Sequence, residues 1–273
     1  VTTASTTAMW RGYPLASLPL MDEQDWPPQP FTLPIPNPVL REAAAVSDVA
    51  AFLAIGEAWS QMVSHFLPAN PTLLDLGCGC GKQARFLLHN PNLTYIGIDL
   101  FLPAIKWCQR AFAPHAARFR FEHFNGISEV YNPGGDIKAS EYVFPLDDES
   151  VDMTICASLF THLFEADARH YLEEIARIAK PDGRAIISIH VQPEWGTNYS
   201  GDESRIDIDE AYFVEMCEAA GLSVDQRIGV IYGQTAYLLK KGGASAFKPE
   251  SKVSGVGRNL RKVAQAITLK KGA

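Results

Sequence analysis

Apolar positions along the chain alternate between short continuous runs and stretches of helical spacing. Val49, Phe52, Leu53, Ile55, Trp59 and Val63 recur at helical intervals, predicting a helix from about Ser47, its cap, to about Phe66. Residues 72–77 (TLLDLG) then read as a short buried strand that ends in glycines. The spacing predicts a helix over 83–89, a strand over 94–100, a helix over 103–112 and an alternating strand over 117–124. A fourth strand is expected at 150–158, then a long helix stopping at Lys180-Pro181-Asp182-Gly183, and a fifth strand at 184–191. A helix over 209–220 closes on Gly221, and the runs 222–232 and 234–241 are near enough to pair as a hairpin.

Strands separated by helices of 10 to 15 residues imply parallel βαβ units with right-handed crossovers. The expected fold is therefore α/β and doubly wound. It is a mostly parallel seven-stranded sheet with helices on both faces and a C-terminal antiparallel hairpin. Ligands of such a sheet sit beyond the strand C-termini at the switch point. This domain is expected over residues 41–244. Residues 1–40 hold eight prolines between Pro14 and Pro38, so an extended arm precedes it. Residues 245–273 form a basic tail, with Val256, Leu260, Val263 and Ile267 on one helical stripe.

Charge and cysteine content narrow the partners. The chain carries −7. Residues 245–273 hold seven Lys/Arg against one Glu, so the remainder carries −13. Such a body repels phosphate backbones, and nucleic acid is not expected as the partner. The tail offers a weak contact to an anionic membrane. No apolar run approaches the ~18 residues of a membrane span, and the first ten residues lack a secretory pattern. Five cysteines fit reduced thiols in a cytoplasmic protein better than a disulfide framework. Asp147, Asp148 and Glu149 could recruit a divalent cation with Asp152, but one carboxylate run is not a site, so no metal-binding residue is expected and metal dependence is left open. Oligomeric state is left open.

The sharpest chemical signal is Asp75-Leu76-Gly77-Cys78-Gly79-Cys80-Gly81, ending the first strand. Glycines let backbone N–H groups approach a ligand, and the next helix aims its N-terminus at the same space. Asp99 ends the second strand, where a carboxylate accepts hydrogen bonds from both hydroxyls of a ribose. A dinucleotide site would need G-x-G-x-x-G; this loop is G-x-G-x-G after an Asp.

These motifs resemble those of class I S-adenosylmethionine-dependent methyltransferases. LLDLGCGCGKQARFL with YIGIDL resembles the first two family motifs, and FPLDDESVDMTICASLFTHL the fourth-strand motif. EIARIAKPDGRAIISI resembles the entry to their fifth strand. The resemblance covers roughly residues 50–240 and implies S-adenosylmethionine as cofactor. It implies that Asp75, Gly77, Gly79 and Gly81 contact the methionine part, that Asp99 holds the ribose, and that Leu100 and Phe101 lie near the adenine. Ser158, after the fourth strand, is counted with them. Family members often bond the adenine amino group through an Asp; the nearest position here is Asn125, whose amide oxygen can accept the same bond.

An alcohol acceptor needs a base to take its proton, and histidine titrates near neutral pH. Histidines fall at three strand ends: His123, His162 and His190. His162 is the expected base and His190 the second candidate. Tyr131, in the insert after the third strand, and Trp195 and Tyr199, in the polar stretch after His190, are expected to bind the acceptor; Gln234 is a weaker candidate. The expected activity is methylation of a hydroxyl on a small molecule or saccharide. N-methylation of an amine or amino sugar, and a cofactor-binding module without catalysis, stay open.

Overall fold

The computed structural model describes residues 9–10, 13–14, 33–194 and 196–249. Most of the proline-rich arm, Trp195 and nearly all of the basic tail lie outside the described residues. Met9–Trp10 pairs antiparallel with Tyr13–Pro14, separately from the main sheet.

The main strands are β1 (Thr72–Leu76), β2 (Thr94–Asp99), β3 (Phe119–His123), β4 (Val151–Cys156), β5 (Ala179–Val191), β6 (Tyr199–Asp202), β7 (Arg205–Ile208), β8 (Leu222–Ile231) and β9 (Gln234–Lys241). The helices are α1 (Pro38–Ala43), α2 (Val49–Ser64), α3 (Ala84–Leu87), α4 (Leu102–Ala111), α5 (Glu165–Ile178) and α6 (Glu210–Ala219). Seven strands run in the order β8-β9-β5-β4-β1-β2-β3. β1 to β5 pair in parallel, whereas β9 pairs antiparallel with both β5 and β8. The expected doubly wound sheet and terminal hairpin are thus present. Tyr232 and Gly233 both have positive φ, as a two-residue turn matched to strand twist requires. One apolar core lies under α2 and α4 and the other under α5 and α6, so helices cover both faces. Among the described residues no helix is long and apolar enough to cross a membrane.

Four local expectations change. Proline content predicts extended chain to residue 40, yet Pro38 opens α1. Proline needs no N–H at a first helical position, and Asn37 caps the turn by accepting from the Leu40 amide at 3.0 Å. Asp48, not Ser47, caps α2, accepting from the Ala51 amide at 2.7 Å. β5 starts at Ala179 and runs through the Lys-Pro-Asp-Gly segment, past an irregularity against β4. The polar stretch after His190 is not loop throughout: β6 and β7 form a hairpin, and β7 extends the sheet beside β5 at His190 and Val191.

Polar anchors explain several acidic residues. Asp152 accepts from the Thr72 amide and from Lys180. Arg177 pairs with Asp148 and Glu174, and Lys241 with Glu149. All five cysteines are free and buried.

Candidate active site

β1 and β4 are neighbours, and the chain leaves them in opposite directions, so the crevice opens beyond their C-terminal ends. The glycine loop begins there. Gly77, Gly79 and Gly81 all have positive φ, which side chains disfavour. The Gly77 and Cys78 amides donate to the Ile98 carbonyl, which ties the loop to β2. A Cβ on Gly79 would meet only Ala44, at 3.9 Å, and would otherwise enter open space. A Cβ on Gly81 would instead press on Phe112 at 3.1 Å. Gly79 is therefore the ligand-side glycine, and Gly81 a packing glycine.

Asp75 lies behind the loop, fully buried. Its carboxylate accepts from Gln83 Nε2 at 2.9 and 3.1 Å and from the Tyr95 hydroxyl. Burial pushes its pKa up to about 7 against those hydrogen bonds. The expectation that Asp75 touches the ligand changes: it braces Gln83, which itself lines the cavity.

Asp99 stands at the cavity wall. Its Oδ2 accepts from the Gly79 amide and its Oδ1 from the Phe101 amide, each at 2.7 Å. These bonds fix the carboxylate plane. Each oxygen keeps further acceptor capacity, so two neighbouring hydroxyls suit it. Burial raises its pKa, opposed by the same two amides.

The cavity measures about 770 Å³, within the range of small-molecule sites. Residues 40–46 roof the glycine loop. Two buried arginines hold this segment: Arg41 donates to the Pro36 and Ser47 carbonyls at 2.6 and 2.8 Å, and Arg85 of α3 donates to the Leu33 carbonyl at 2.9 Å and to Pro34. Lys82 lines the cavity and donates to the Ala44 carbonyl at 3.3 Å; burial lowers its pKa. An ammonium so desolvated favours an anionic partner such as a carboxylate.

The opposite half is built around His162. After β4, Ser158 takes a left-handed conformation with φ of 61°. Its amide donates to Ser188 Oγ at 2.9 Å, Ser188 Oγ donates to Gln234 Oε1 at 2.8 Å, and Gln234 Nε2 returns to Ser158 Oγ at 2.6 Å. This closed ring sets the turn that carries His162. His162 Nδ1 lies 2.8 Å from the Glu203 carbonyl. A carbonyl can only accept, so Nδ1 bears the proton and Nε2 is left to act as a base. Tyr131 stands edge-on to His162, ring centroids 5.9 Å apart, and edge-on to Phe101. The carboxylates of Glu129, Asp167, Asp202 and Glu203 complete this half, against one ammonium, Lys138.

Gly77, Gly79, Asp99, Leu100, Phe101, Tyr131, Ser158, His162 and Gln234 line one cavity. Besides Asp75 and Gly81, three further described candidates do not line it. Asn125 spends its amide on Asn132 and Asp136 inside the insert, at 3.0 and 2.9 Å. His190 sits where β5 pairs with β7; burial and then Arg205 lower its pKa. The Tyr199 hydroxyl donates to the Leu163 carbonyl at 2.6 Å, which makes the residue an anchor. Trp195 lies outside the described residues. His123 contacts the Leu100 carbonyl at 3.1 Å. Sequence reasoning missed Lys82, although it directly follows Gly81, and Glu203, whose β6–β7 tip carried no strand signal.

A doubly wound sheet with this glycine loop, strand-end acid and joined cavity is a Rossmann-like architecture. A family profile described as "Methyltransferase domain" matches residues 74–187. Over those residues the chain is similar to this methyltransferase domain family, which agrees with the resemblance to class I S-adenosylmethionine-dependent methyltransferases. A tRNA (carboxymethyluridine(34)-5-O)-methyltransferase of Arabidopsis thaliana is 28% identical over 125 residues, 45% of this chain and 25% of that protein. The chain thus spans about a quarter of the length of that curated relative. A SAM-dependent methyltransferase from Aquifex aeolicus shares the fold with a TM-score of 0.53 at 19% identity, over 73% of this chain and 97% of that one. The Burkholderia thailandensis 1,6-didemethyltoxoflavin-N1-methyltransferase, solved with 1,6-didemethyltoxoflavin and S-adenosylhomocysteine bound, gives 0.52 at 20% identity, over 81% and 94%.

Proposed function

We propose that the chain transfers a methyl group from S-adenosylmethionine to a hydroxyl of a small molecule or saccharide. One observation carries the reading: a single cavity joins the glycine loop and Asp99 to His162. The residues fit the cofactor. Gly79 leaves a cradle that a Cβ would fill, Asp99 presents fixed acceptors for a ribose, and half-buried Lys82 suits the amino acid carboxylate. When bound, the cofactor supplies a methyl already activated on a sulfonium. The chain's own task is then alignment and proton removal. Phe101 and Leu100 wall the adenosine end, and Tyr131 holds the acceptor beside His162. His162 Nε2 takes the hydroxyl proton as the acceptor oxygen attacks, and Nδ1 keeps its bond to the Glu203 carbonyl as the ring becomes cationic.

The acidic acceptor half favours one second reading, N-methylation of an amine. A cationic amine is attracted there but must lose its proton to react. The tRNA activity of the Arabidopsis relative adds a nucleic acid outcome, which the same carboxylates oppose through phosphate repulsion. A transfer screen with labelled cofactor over sugars, phenols, amines and tRNA separates the three. For a hydroxyl acceptor, His162→Ala should lower kcat about a hundredfold or more while cofactor affinity holds. A His162→Ala protein with the wild-type rate would overturn the base assignment.

A further inference from the structure

We propose that Glu203 is a positioning residue that sets acceptor specificity by fastening two walls of the acceptor half at once. The inference rests on the reading that this half of the cavity receives the acceptor. Glu203 sits at the tip of the β6–β7 hairpin, one residue past Asp202. The tip is built to hold its shape. Asp202 Oδ1 accepts from the Ser204 amide at 2.8 Å, and Gly201 has φ of 119°, with no room for a Cβ against the Arg205 carbonyl. The hairpin root is fixed as well, because β7 pairs with β5 and the Ile206 amide donates to the Thr161 carbonyl at 2.8 Å.

From this rigid tip Glu203 acts through two different atoms. Its carbonyl orients His162, as described above. Its side-chain Oε2 accepts from the Glu129 amide at 2.9 Å. Glu129 begins the part of the insert that carries Tyr131, and the Tyr131 amide is bonded to Ser128 Oγ at 2.9 Å. One residue therefore sets the distance between the base and the aromatic wall facing it. The two contacts join segments 41 and 74 residues away in sequence. Removing the carboxylate frees the insert but leaves the carbonyl and the His162 tautomer untouched. A glutamine at the position keeps an oxygen that accepts the Glu129 bond and loses only the charge.

The test compares Glu203→Ala and Glu203→Gln with the wild-type chain, using amide hydrogen exchange, imidazole nitrogen NMR and S-adenosylhomocysteine calorimetry. In E203A, exchange at the Glu129 amide should rise about tenfold, whereas E203Q should stay near wild type. Both variants should keep the Nδ1–H tautomer of His162 and wild-type affinity for S-adenosylhomocysteine. With an acceptor from the transfer screen, E203A should raise KM about tenfold with kcat little changed, and E203Q should restore KM. Unchanged exchange at Glu129 in E203A would overturn the proposal. An E203Q variant as impaired in KM as E203A would also overturn it, because the charge would then be touching the acceptor directly. Failure of the underlying reading is visible separately, as a wild-type chain that does not bind S-adenosylhomocysteine.

Discussion

Asp75 shows how one residue's environment decides its role. Its carboxyl has no solvent, two donors and a pKa near 7. A carboxyl whose folded pKa is raised binds more protons folded than unfolded across roughly pH 4 to 7. Stability therefore falls as pH rises through that window, at a cost on the order of 4 kcal/mol above it. Asp75→Asn removes the titration and keeps an acceptor for Gln83. Thermal denaturation from pH 5 to 8 should show wild type losing several degrees relative to Asp75→Asn; parallel curves would refute the assignment. The motif marked Asp75 in the sequence, but not its orientation. Neither Gln83, eight residues on, nor Tyr95 on β2 gives any local sign that it points at this carboxyl.

At the level of elements, the turn after β4 depends on a side chain from the far hairpin. Gln234 opens β9, and its amide closes the ring through Ser158 and Ser188. Gln234→Ala breaks two of the three bonds while Ser158 must still hold a left-handed backbone, a strain of about 1 kcal/mol. Turnover should drop about tenfold, with cofactor affinity within about twofold of wild type, as kinetics and calorimetry would show. Equal loss of affinity and turnover would instead make the ring a general brace. Periodicity revealed β1 to β5 and the closing hairpin because buried parallel strands need near-continuous apolar runs. It missed β6 and β7, of which only Ile206 and Ile208 are buried; a strand with so short an apolar face leaves little pattern to read. Asn125 failed for a related reason: the position after β3 was legible, but its amide is consumed by an insert whose folding is not.

Across the whole molecule, the roof over the cofactor half is tethered by a segment that the proline count assigns to an arm. Leu33, Ile35, Val39 and Leu40 are buried, and Arg85 reaches back from α3 to hold the carbonyls of Leu33 and Pro34. Arg85→Met keeps most of the packing and loses those bonds. Limited proteolysis should then cut within residues 33–47 faster, and S-adenosylhomocysteine should bind more weakly; an intact roof with full affinity would contradict this view. All of it presupposes that the cavity between the glycine loop and Asp99 holds the cofactor. Titration calorimetry of S-adenosylhomocysteine into the wild-type chain and Asp99→Ala tests that most directly. Saturable binding at one site per chain, weakened at least about tenfold by Asp99→Ala, is the expected result. A folded wild-type chain that takes up no ligand, or an Asp99→Ala chain that binds as tightly, would contradict it.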